Sequence, residues 1–275
     1  MNTKTDKSEA VPQEAPMTAR EEWAEFLKTA MIAVVLALII RTLFFEPFNI
    51  PSSSMKPTLL VGDYLFVNKM EYGYSRYSFP FGFAPIEGRI FDKHGEKRPE
   101  RGDVIVFRLP TNPSIDYIKR IVGLPGDTIQ VINGRLYING EIVPREFVAM
   151  REVDEFGTKQ TMMEYIETLP GGIIHRIYEE SDKGPLDNTE LYTVPDNHYF
   201  AMGDNRDNSQ DSRVGNMVGY IPFENILGPA SILFFSSNGS ANIAEIWKWP
   251  WAIRYERLFD KIGPIRPPTA VPDQT

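Results

Sequence analysis

The chain has 275 residues, of which 42% are hydrophobic, and a formal net charge of -8 at pH 7. This length and composition are typical of a globular protein with one large domain or two modest ones. The acidic balance argues against a nucleic acid as the main partner, because proteins that bind nucleic acids present a basic surface. The chain has no cysteine, which excludes thiol catalysis, disulfides and cysteine-based metal sites.

The N-terminal part of the chain changes from polar to apolar. Residues 1–25 are mostly polar and have no apolar periodicity, so we predict a disordered, cytoplasmic N-terminus. Residues 26–45 hold an unbroken apolar run at 30–40, and Lys28 and Arg41 lie near the two ends. This length suits a bilayer core, and the basic side chains can reach the headgroups. We predict one transmembrane helix over residues 26–45.

The basic residues around this helix predict its orientation. Those before the apolar run are Lys4, Lys7, Arg20 and Lys28, and Arg41 follows it. This bias places the N-terminus in the cytoplasm and the rest of the chain outside. A cleaved signal peptide is the alternative, since residues 52–54 offer small side chains, but they lie far behind the apolar run.

The remaining chain predicts a mainly antiparallel β domain over residues 46–240. After Gly62 comes a run rich in β-branched and aromatic residues, which is typical of a strand. Residues 104–107 form a short apolar run that indicates a buried strand. The Asn-Gly pairs at 133–134 and 139–140 indicate tight turns between antiparallel strands.

Two further segments have less regular patterns. Residues 146–190 are more charged, and we predict a β-rich excursion inserted into the domain. Residues 241–275 form an aromatic and basic tail that contains Trp247, Trp249 and Trp251. This tail lies either at the lipid interface or against the β domain.

A serine cluster follows the predicted helix. Three serines at 52–54 stand between Pro51 and Pro57. The prolines discourage a helix, so we expect an extended segment that holds the hydroxyl groups in place. Ser54 is a candidate nucleophile, although a serine-rich linker that leaves a membrane has the same composition.

A lysine within a predicted strand is the candidate base. In the strand at 117–122, side chains alternate between faces, so Tyr117, Lys119 and Ile121 share one face and Arg120 points the other way. Loss of solvation lowers the pKa of a buried lysine, and its neutral amine can then act as a general base. The alternative is a lysine whose stem packs while its ammonium group reaches water.

Polar residues are concentrated again at 200–213, directly after an apolar strand. Three aspartates there suit a calcium loop, but their spacing departs from the EF-hand pattern and no glutamate closes it. The two arginines among them favour a network of ion pairs. The three histidines, His94, His175 and His198, lack the spacing of a metal motif.

Five segments together resemble a known family. They resemble, in chain order, the sequence boxes of bacterial type I signal peptidase (leader peptidase), and they are residues 50–59, 62–69, 101–107, 117–127 and 203–213. The resemblance implies an antiparallel β catalytic domain behind one membrane helix. It also implies a location in the bacterial inner membrane, with the catalytic domain on the periplasmic side.

The resemblance implies a Ser/Lys peptidase that needs no metal or other cofactor. Ser54 matches the nucleophile and Lys119 the general base. Ser52, with the Ser54 N–H, matches the donors to the oxyanion. Ser209 matches the hydroxyl that orients the lysine. The residues that match supporting ion pairs are Arg120, Asp204, Asp211 and Arg213.

The implied substrates are signal-peptide-bearing preproteins, cut by a monomer at the lipid bilayer after small residues at Ala-x-Ala sites. The residues that match the pocket and the substrate-binding strand are Ile50, Met55, Leu59, Asp116, Tyr117 and Ile118. Ser53 departs from the family, which often has Gly there. Two alternatives remain: a self-cleaving Ser/Lys peptidase like the SOS-response repressors, and an inactive anchored β domain that binds envelope proteins.

Overall fold

The structure is a computed structural model, and it describes residues 18–79, 87–91, 97–155, 158–242 and 244–266. The chain divides into two compact units, residues 1–40 and 41–275. Helix α1 (Ala19–Leu43) makes up most of the described part of the first unit and has no buried residue. In the described part of the chain, α1 is the one helix that is long and apolar enough to cross a membrane.

Helix α1 begins earlier than the sequence predicts. Thr18 Oγ1 accepts a hydrogen bond from the backbone N–H of Glu21, and the Glu21 carboxylate accepts one from the Thr18 N–H. This reciprocal capping starts the helix at Ala19. The predicted disorder is therefore wrong for residues 19–25, while residues 1–17 lie outside the described part of the chain.

The second unit is built of antiparallel strands. Their bounds are β1 (Phe45–Asn49), β2 (Asp63–Asn68), β3 (Tyr74–Ser75), β4 (Arg89–Ile90), β5 (Val104–Leu109), β6 (Asn112–Gly123), β7 (Thr128–Ile132), β8 (Arg135–Ile138), β9 (Glu141–Ile142), β10 (Arg145–Glu155), β11 (Thr158–Leu169), β12 (Ile173–Glu179), β13 (Tyr192–Thr193), β14 (His198–Met202), β15 (Ile221–Pro222) and β16 (Ile226–Ser236). The predicted fold class, mainly antiparallel β behind one N-terminal helix, is confirmed.

Among the described residues, seven strands form the central sheet, in the order β1-β2-β16-β5-β6-β14-β15. Strand β5 is central and buried on both faces: Ile105 and Phe107 pack in one hydrophobic cluster, whereas Val104 and Val106 pack in another. This burial explains why its sequence is an apolar run without alternation. The core of the domain therefore lies on both sides of this sheet.

The two predicted Asn-Gly turns are present. Asn133 and Gly134 join β7 to β8, and Asn139 and Gly140 join β8 to β9. All four residues have positive φ, from 49° to 80°. These values are typical of type I′ turns, which Asn-Gly favours.

In the described part of the predicted excursion, three strands form a separate sheet in the order β10-β11-β12. Its strands are connected in sequence, and β11 pairs with β12 so that Glu167 lies opposite His175. Tyr178, near the end of β12, forms a parallel bridge with Asn205. The excursion therefore reaches the polar segment at 203–213.

The described part of the C-terminal tail packs on the β domain. It includes the short helix α2 (Trp249–Ala252), and Lys261 forms a backbone bridge with Ile232 of β16. Arg254 and Arg257 donate hydrogen bonds into the turn before β2. The tryptophans of the tail stay exposed, at 65% for Trp247, 40% for Trp249 and 76% for Trp251.

Candidate active site

The serine segment lies in a turn rather than in an extended conformation. Pro51 and Ser52 are irregular, and turns follow because the Lys56 N–H bonds to the Ser53 carbonyl at 3.0 Å and the Leu59 N–H to the Met55 carbonyl at 2.9 Å. Local hydrogen bonds thus override the extended preference that the flanking prolines suggest. The turn buries Ser54, which is 8% exposed.

Strand β6 brings Lys119 to Ser54. The Lys119 Nζ atom is 2.8 Å from Ser54 Oγ and 2.8 Å from the carbonyl oxygen of Ile118, to which it donates. It also lies 5.3 Å from the centre of the Tyr117 ring, which agrees with the predicted sharing of one strand face. A hydroxyl group and an amine from distant parts of the chain are therefore in hydrogen-bond contact.

Burial changes the pKa of the Lys119 amine. Lys119 is 3% exposed, and this desolvation lowers its pKa from 10.5 to about 8. Asp211 and Asp204 raise the pKa and so limit the fall, while Arg213 adds to it. With this pKa, about one lysine in ten is neutral at pH 7. The amine can therefore accept a proton under physiological conditions.

The other two predicted hydroxyl groups are placed differently. Ser52 is exposed, and its Oγ is 3.3 Å from Ser54 Oγ. Ser209 Oγ is buried beside the same cleft, but among the described residues it makes no hydrogen bond of normal geometry. The structure therefore brings Ser209 near the pair without the contact to Lys119 that the resemblance implies.

Among the described residues, two buried ion pairs contain the charged groups that act on the Lys119 pKa. Arg120 binds both carboxylate oxygens of Asp204, at 2.8 and 2.7 Å, and Arg213 binds both oxygens of Asp211, at 2.9 and 2.8 Å. Burial alone raises the pKa of each carboxyl group, but the arginines prevail and lower both. The four residues that match supporting ion pairs therefore pair with each other as ions and do not form a calcium loop.

An open cleft of about 740 Å³ exposes the pair. Its walls include Ile50, the serines at 52–54, Ile115, Asp116, Tyr117, Ile118, Lys119, Leu186 and Ser209. Strand β14 pairs with β6 only from Arg120 onward. Among the described strands, none pairs with the β6 edge at Tyr117 and Ile118 on that side, so this edge is free to accept an extended peptide.

Comparisons with known proteins agree on one family. The model of "Signal peptidase, peptidase S26" matches residues 23–235. The chain is 40% identical over 262 residues to signal peptidase I of Rickettsia conorii, which covers 88% of this chain and 92% of the relative. It is 39% identical over 281 residues to signal peptidase I of Rickettsia typhi, with 95% and 97% covered. The chain belongs to the signal peptidase family, peptidase S26.

Membership of this family confirms the resemblance and the expected enzyme class, a serine endopeptidase. A crystal structure of a signal peptidase I from Enterococcus faecalis covers 49% of this chain and 98% of its own, at 26% identity and a TM-score of 0.29. With helix α1, family membership also fits a membrane-anchored peptidase.

Two predicted pocket residues do not line the cleft of the peptidase. Met55 and Leu59 are completely buried and pack in the same hydrophobic cluster as Ile50 and Ile118. The turn that carries Ser54 directs them into the core. Their predicted role in the substrate pocket stays a prediction, whereas Ile50 and the β6 residues Asp116, Tyr117 and Ile118 line the cleft.

The sequence did not distinguish three residues that fix the serine turn. A Cβ atom on Gly203 would lie 2.2 Å from Ser209 Oγ and 2.5 Å from the Ser54 carbonyl oxygen. The Asn205 N–H donates to that same carbonyl, and Asn208 Nδ2 donates to Ser53 Oγ at 3.0 Å. These residues were visible only as part of a polar run. Ser53 itself lies outside the left-handed region, so its backbone does not require Gly.

The two described histidines have partners other than Ser54. His175 contacts Glu167, and His198 Nδ1 lies 2.9 Å from the carbonyl oxygen of Asp196. His94 lies outside the described residues. Within the described ranges, no three His, Asp or Glu side chains form a group that could hold a metal ion.

Proposed function

We propose that the peptidase cleaves signal peptides from exported preproteins with Ser54 as nucleophile and Lys119 as general base. The 2.8 Å distance between Ser54 Oγ and Lys119 Nζ carries this proposal. A serine hydroxyl is a poor nucleophile at neutral pH and needs an adjacent base. A buried amine with a pKa of about 8 is suited to that task.

The proposed reaction proceeds through an acyl-enzyme. Neutral Lys119 takes the Ser54 proton while Ser54 Oγ attacks the carbonyl carbon of the scissile bond. The resulting ammonium returns the proton to the leaving amine as the C–N bond breaks. Lys119 then takes a proton from a water molecule that attacks the ester, and Ser54 recovers its hydroxyl proton.

The oxyanion that forms during attack needs hydrogen-bond donors. The Ser54 backbone N–H and the Ser52 hydroxyl are the proposed donors, and the 3.3 Å separation of the two serine oxygens supports this assignment. Such a donor is typically worth about 3 kcal/mol of transition-state stabilisation. Ser52 is exposed, so its hydroxyl can turn toward a bound substrate.

Substrate binding is proposed along the free edge of β6. An extended peptide that pairs with Tyr117 and Ile118 gains main-chain hydrogen bonds. The apolar wall formed by Ile50 and Ile118 would then meet the side chains before the scissile bond. We propose that small residues at the first and third positions before the cut fit this wall, which gives the Ala-x-Ala preference.

The anchor places the reaction at a membrane. Only the short stretch from Phe44 to Ser53 separates the end of helix α1 from Ser54. We propose that the peptidase is a monomer of the bacterial inner membrane, with a cytoplasmic N-terminus and its catalytic domain on the periplasmic side. The basic residues before the helix support this orientation.

Cleavage of a preprotein in detergent by the full-length chain tests the proposal. Wild type should release the mature protein, whereas Ser54→Ala and Lys119→Ala should lose activity by at least about 1,000-fold. Lys248→Ala is the control, because Lys248 is a surface residue of the tail that pairs with Glu245. Equal processing by all four proteins would contradict the assignment of the pair. No processing by wild type would favour an inactive binding domain.

A further inference from the structure

A buried ionic cluster joins the β10–β12 sheet to the segment at 203–213. Glu167 of β11 binds Arg206 through both carboxylate oxygens, with Oε1 3.0 Å from Arg206 Nη1 and Oε2 bound to Arg206 Nη2. Glu167 is 1% exposed and Arg206 3%. His175 Nε2 is 3.3 Å from Glu167 Oε2. None of these side chains takes part in the proposed chemistry.

The charges of this cluster are well defined. Burial pushes the pKa of Glu167 up, but the Arg206 guanidinium prevails and lowers it to about 2. Burial lowers the pKa of His175, and Arg120 lowers it further, so the imidazole is neutral at pH 7. The cluster therefore contains one carboxylate and one guanidinium that compensate each other out of contact with water.

Arg206 links this pair to the charges around Lys119. Its carbonyl oxygen accepts a hydrogen bond from Arg213 Nη2, and Arg213 is the bidentate partner of Asp211. Among the charged groups that act on Lys119, Asp211 has the largest effect on its pKa. A displacement of Arg206 would therefore be transmitted to the environment of Lys119.

Backbone hydrogen bonds also connect β12, through residues 204–206, to Ser54. The Tyr178 N–H of β12 donates to the Asp204 carbonyl at 2.8 Å, and the Arg206 N–H donates to the Tyr178 carbonyl at 2.9 Å. Between them, the Asn205 N–H donates to the Ser54 carbonyl at 3.0 Å. Residues 204–206 therefore contact β12 through Asp204 and Arg206, and they contact Ser54 through Asn205.

We propose that Glu167 is a positioning residue for the Ser54–Lys119 pair. By holding Arg206, it fixes the segment at 203–213 between β12 and the serine turn, and this gives the inserted sheet a role in the reaction. The proposal rests on the proposed function of Ser54 and Lys119. A buried ion pair adds little stability over apolar residues of similar volume, so its expected contribution is to geometry.

The double variant Glu167→Met/Arg206→Met tests this proposal. Apolar side chains of similar length should keep the thermal unfolding midpoint close to that of wild type. We expect kcat for a preprotein to fall by about 10- to 100-fold with little change in KM, because the substrate edge of β6 is intact. Desolvation is the largest influence on the Lys119 pKa, so a loosened segment that admits water should move the rise of kcat toward higher pH.

Glu164→Gln is the matched control. Glu164 lies on the same strand and is 2% exposed. Its carboxylate also forms ion pairs, but with the half-exposed Arg151 and Arg176 and not with a residue of the 203–213 segment. We expect this variant to keep the wild-type kcat and pH profile. A control that lost activity in the same way would contradict a specific role of Glu167.

The double variant and Ser54→Ala together separate the positioning role from the proposed function. A folded double variant with the wild-type kcat and pH profile would overturn the positioning role, and inactivity of Ser54→Ala in the same assay would leave the proposed function intact. Full activity of Ser54→Ala would overturn both. If the double variant does not fold, Glu167→Gln gives the same readout. Failure of both to fold would show a general structural role and would reject the proposal.

Discussion

The backbone N–H of Asn205 donates a hydrogen bond of 3.0 Å to the carbonyl oxygen of Ser54. This bond ties the polar segment at 203–213 to the residue that we propose as nucleophile. The position of Ser54 therefore depends on residues that are distant in sequence and carry no reacting group.

Gly203→Ala should reduce kcat by about 100-fold or more. The added methyl group would lie 2.2 Å from Ser209 Oγ and 2.5 Å from the Ser54 carbonyl oxygen, so the serine turn or the 203–213 segment must shift. The control is Gly215→Ala, because a Cβ atom there meets no atom within 4 Å. Steady-state cleavage of a preprotein measures the effect, and equal rates for the two variants would contradict it.

The rate of cleavage should rise with pH. The reactive form of Lys119 is the neutral amine, and burial lowers its pKa to about 8. Below this value most of the amine is protonated, so kcat/KM should increase by about tenfold per pH unit and then level off above it. A profile that is already flat between pH 6 and pH 9 would show that Lys119 is not the base.

Replacement of Lys119 by Met should stabilise the domain at neutral pH. The folded-state pKa of Lys119 lies below its ordinary value of 10.5, so burial of the ammonium costs stability below pH 8, and this cost disappears as the pH rises toward 10.5. We expect Lys119→Met to raise the free energy of unfolding by about 3 kcal/mol at pH 7, with no gain above about pH 10.5. Urea unfolding at both pH values measures this difference. A destabilised variant at pH 7 would show that the buried amine contributes favourably.

Much of the fold could be predicted because its signals are local. The Asn-Gly turns and the alternation that separates Lys119 from Arg120 depend only on neighbouring residues. The apolar pattern does not predict the start of helix α1, because its first turns are polar and the reciprocal hydrogen bonds of Thr18 and Glu21 begin the helix there. Local pattern therefore predicted strands and faces better than it predicted where an element begins.

The candidate site depends on contacts that no local pattern contains. Ser54 and Lys119 could be singled out, but the direction of Met55 into the core follows from a turn that the flanking prolines did not predict. The partnership of Glu167 with Arg206 joins an inserted sheet to a distant loop. A single sequence shows which residues are charged, but it does not show which of them form ion pairs with each other.

The C-terminal tail should stabilise the serine segment through Arg257. Its guanidinium binds both carboxylate oxygens of Asp63, which is completely buried, and donates to the Thr58 carbonyl at 3.1 Å. Arg257→Met leaves the Asp63 carboxylate without its main partner, so the free energy of unfolding should fall by about 3 kcal/mol. The turn between Ser54 and Asp63 should loosen as well, and kcat should fall with it.

Two further variants separate this role from a general effect of removing a basic residue. Arg266→Met removes a half-exposed arginine of the same tail that pairs with Glu100, and it should change stability by less than about 1 kcal/mol. Asp63→Asn combined with Arg257→Met should recover part of the lost stability, because no uncompensated charge then remains buried. Chemical unfolding and preprotein cleavage measure both effects, and equal values for Arg257→Met and Arg266→Met would show that the tail does not hold the serine segment in place.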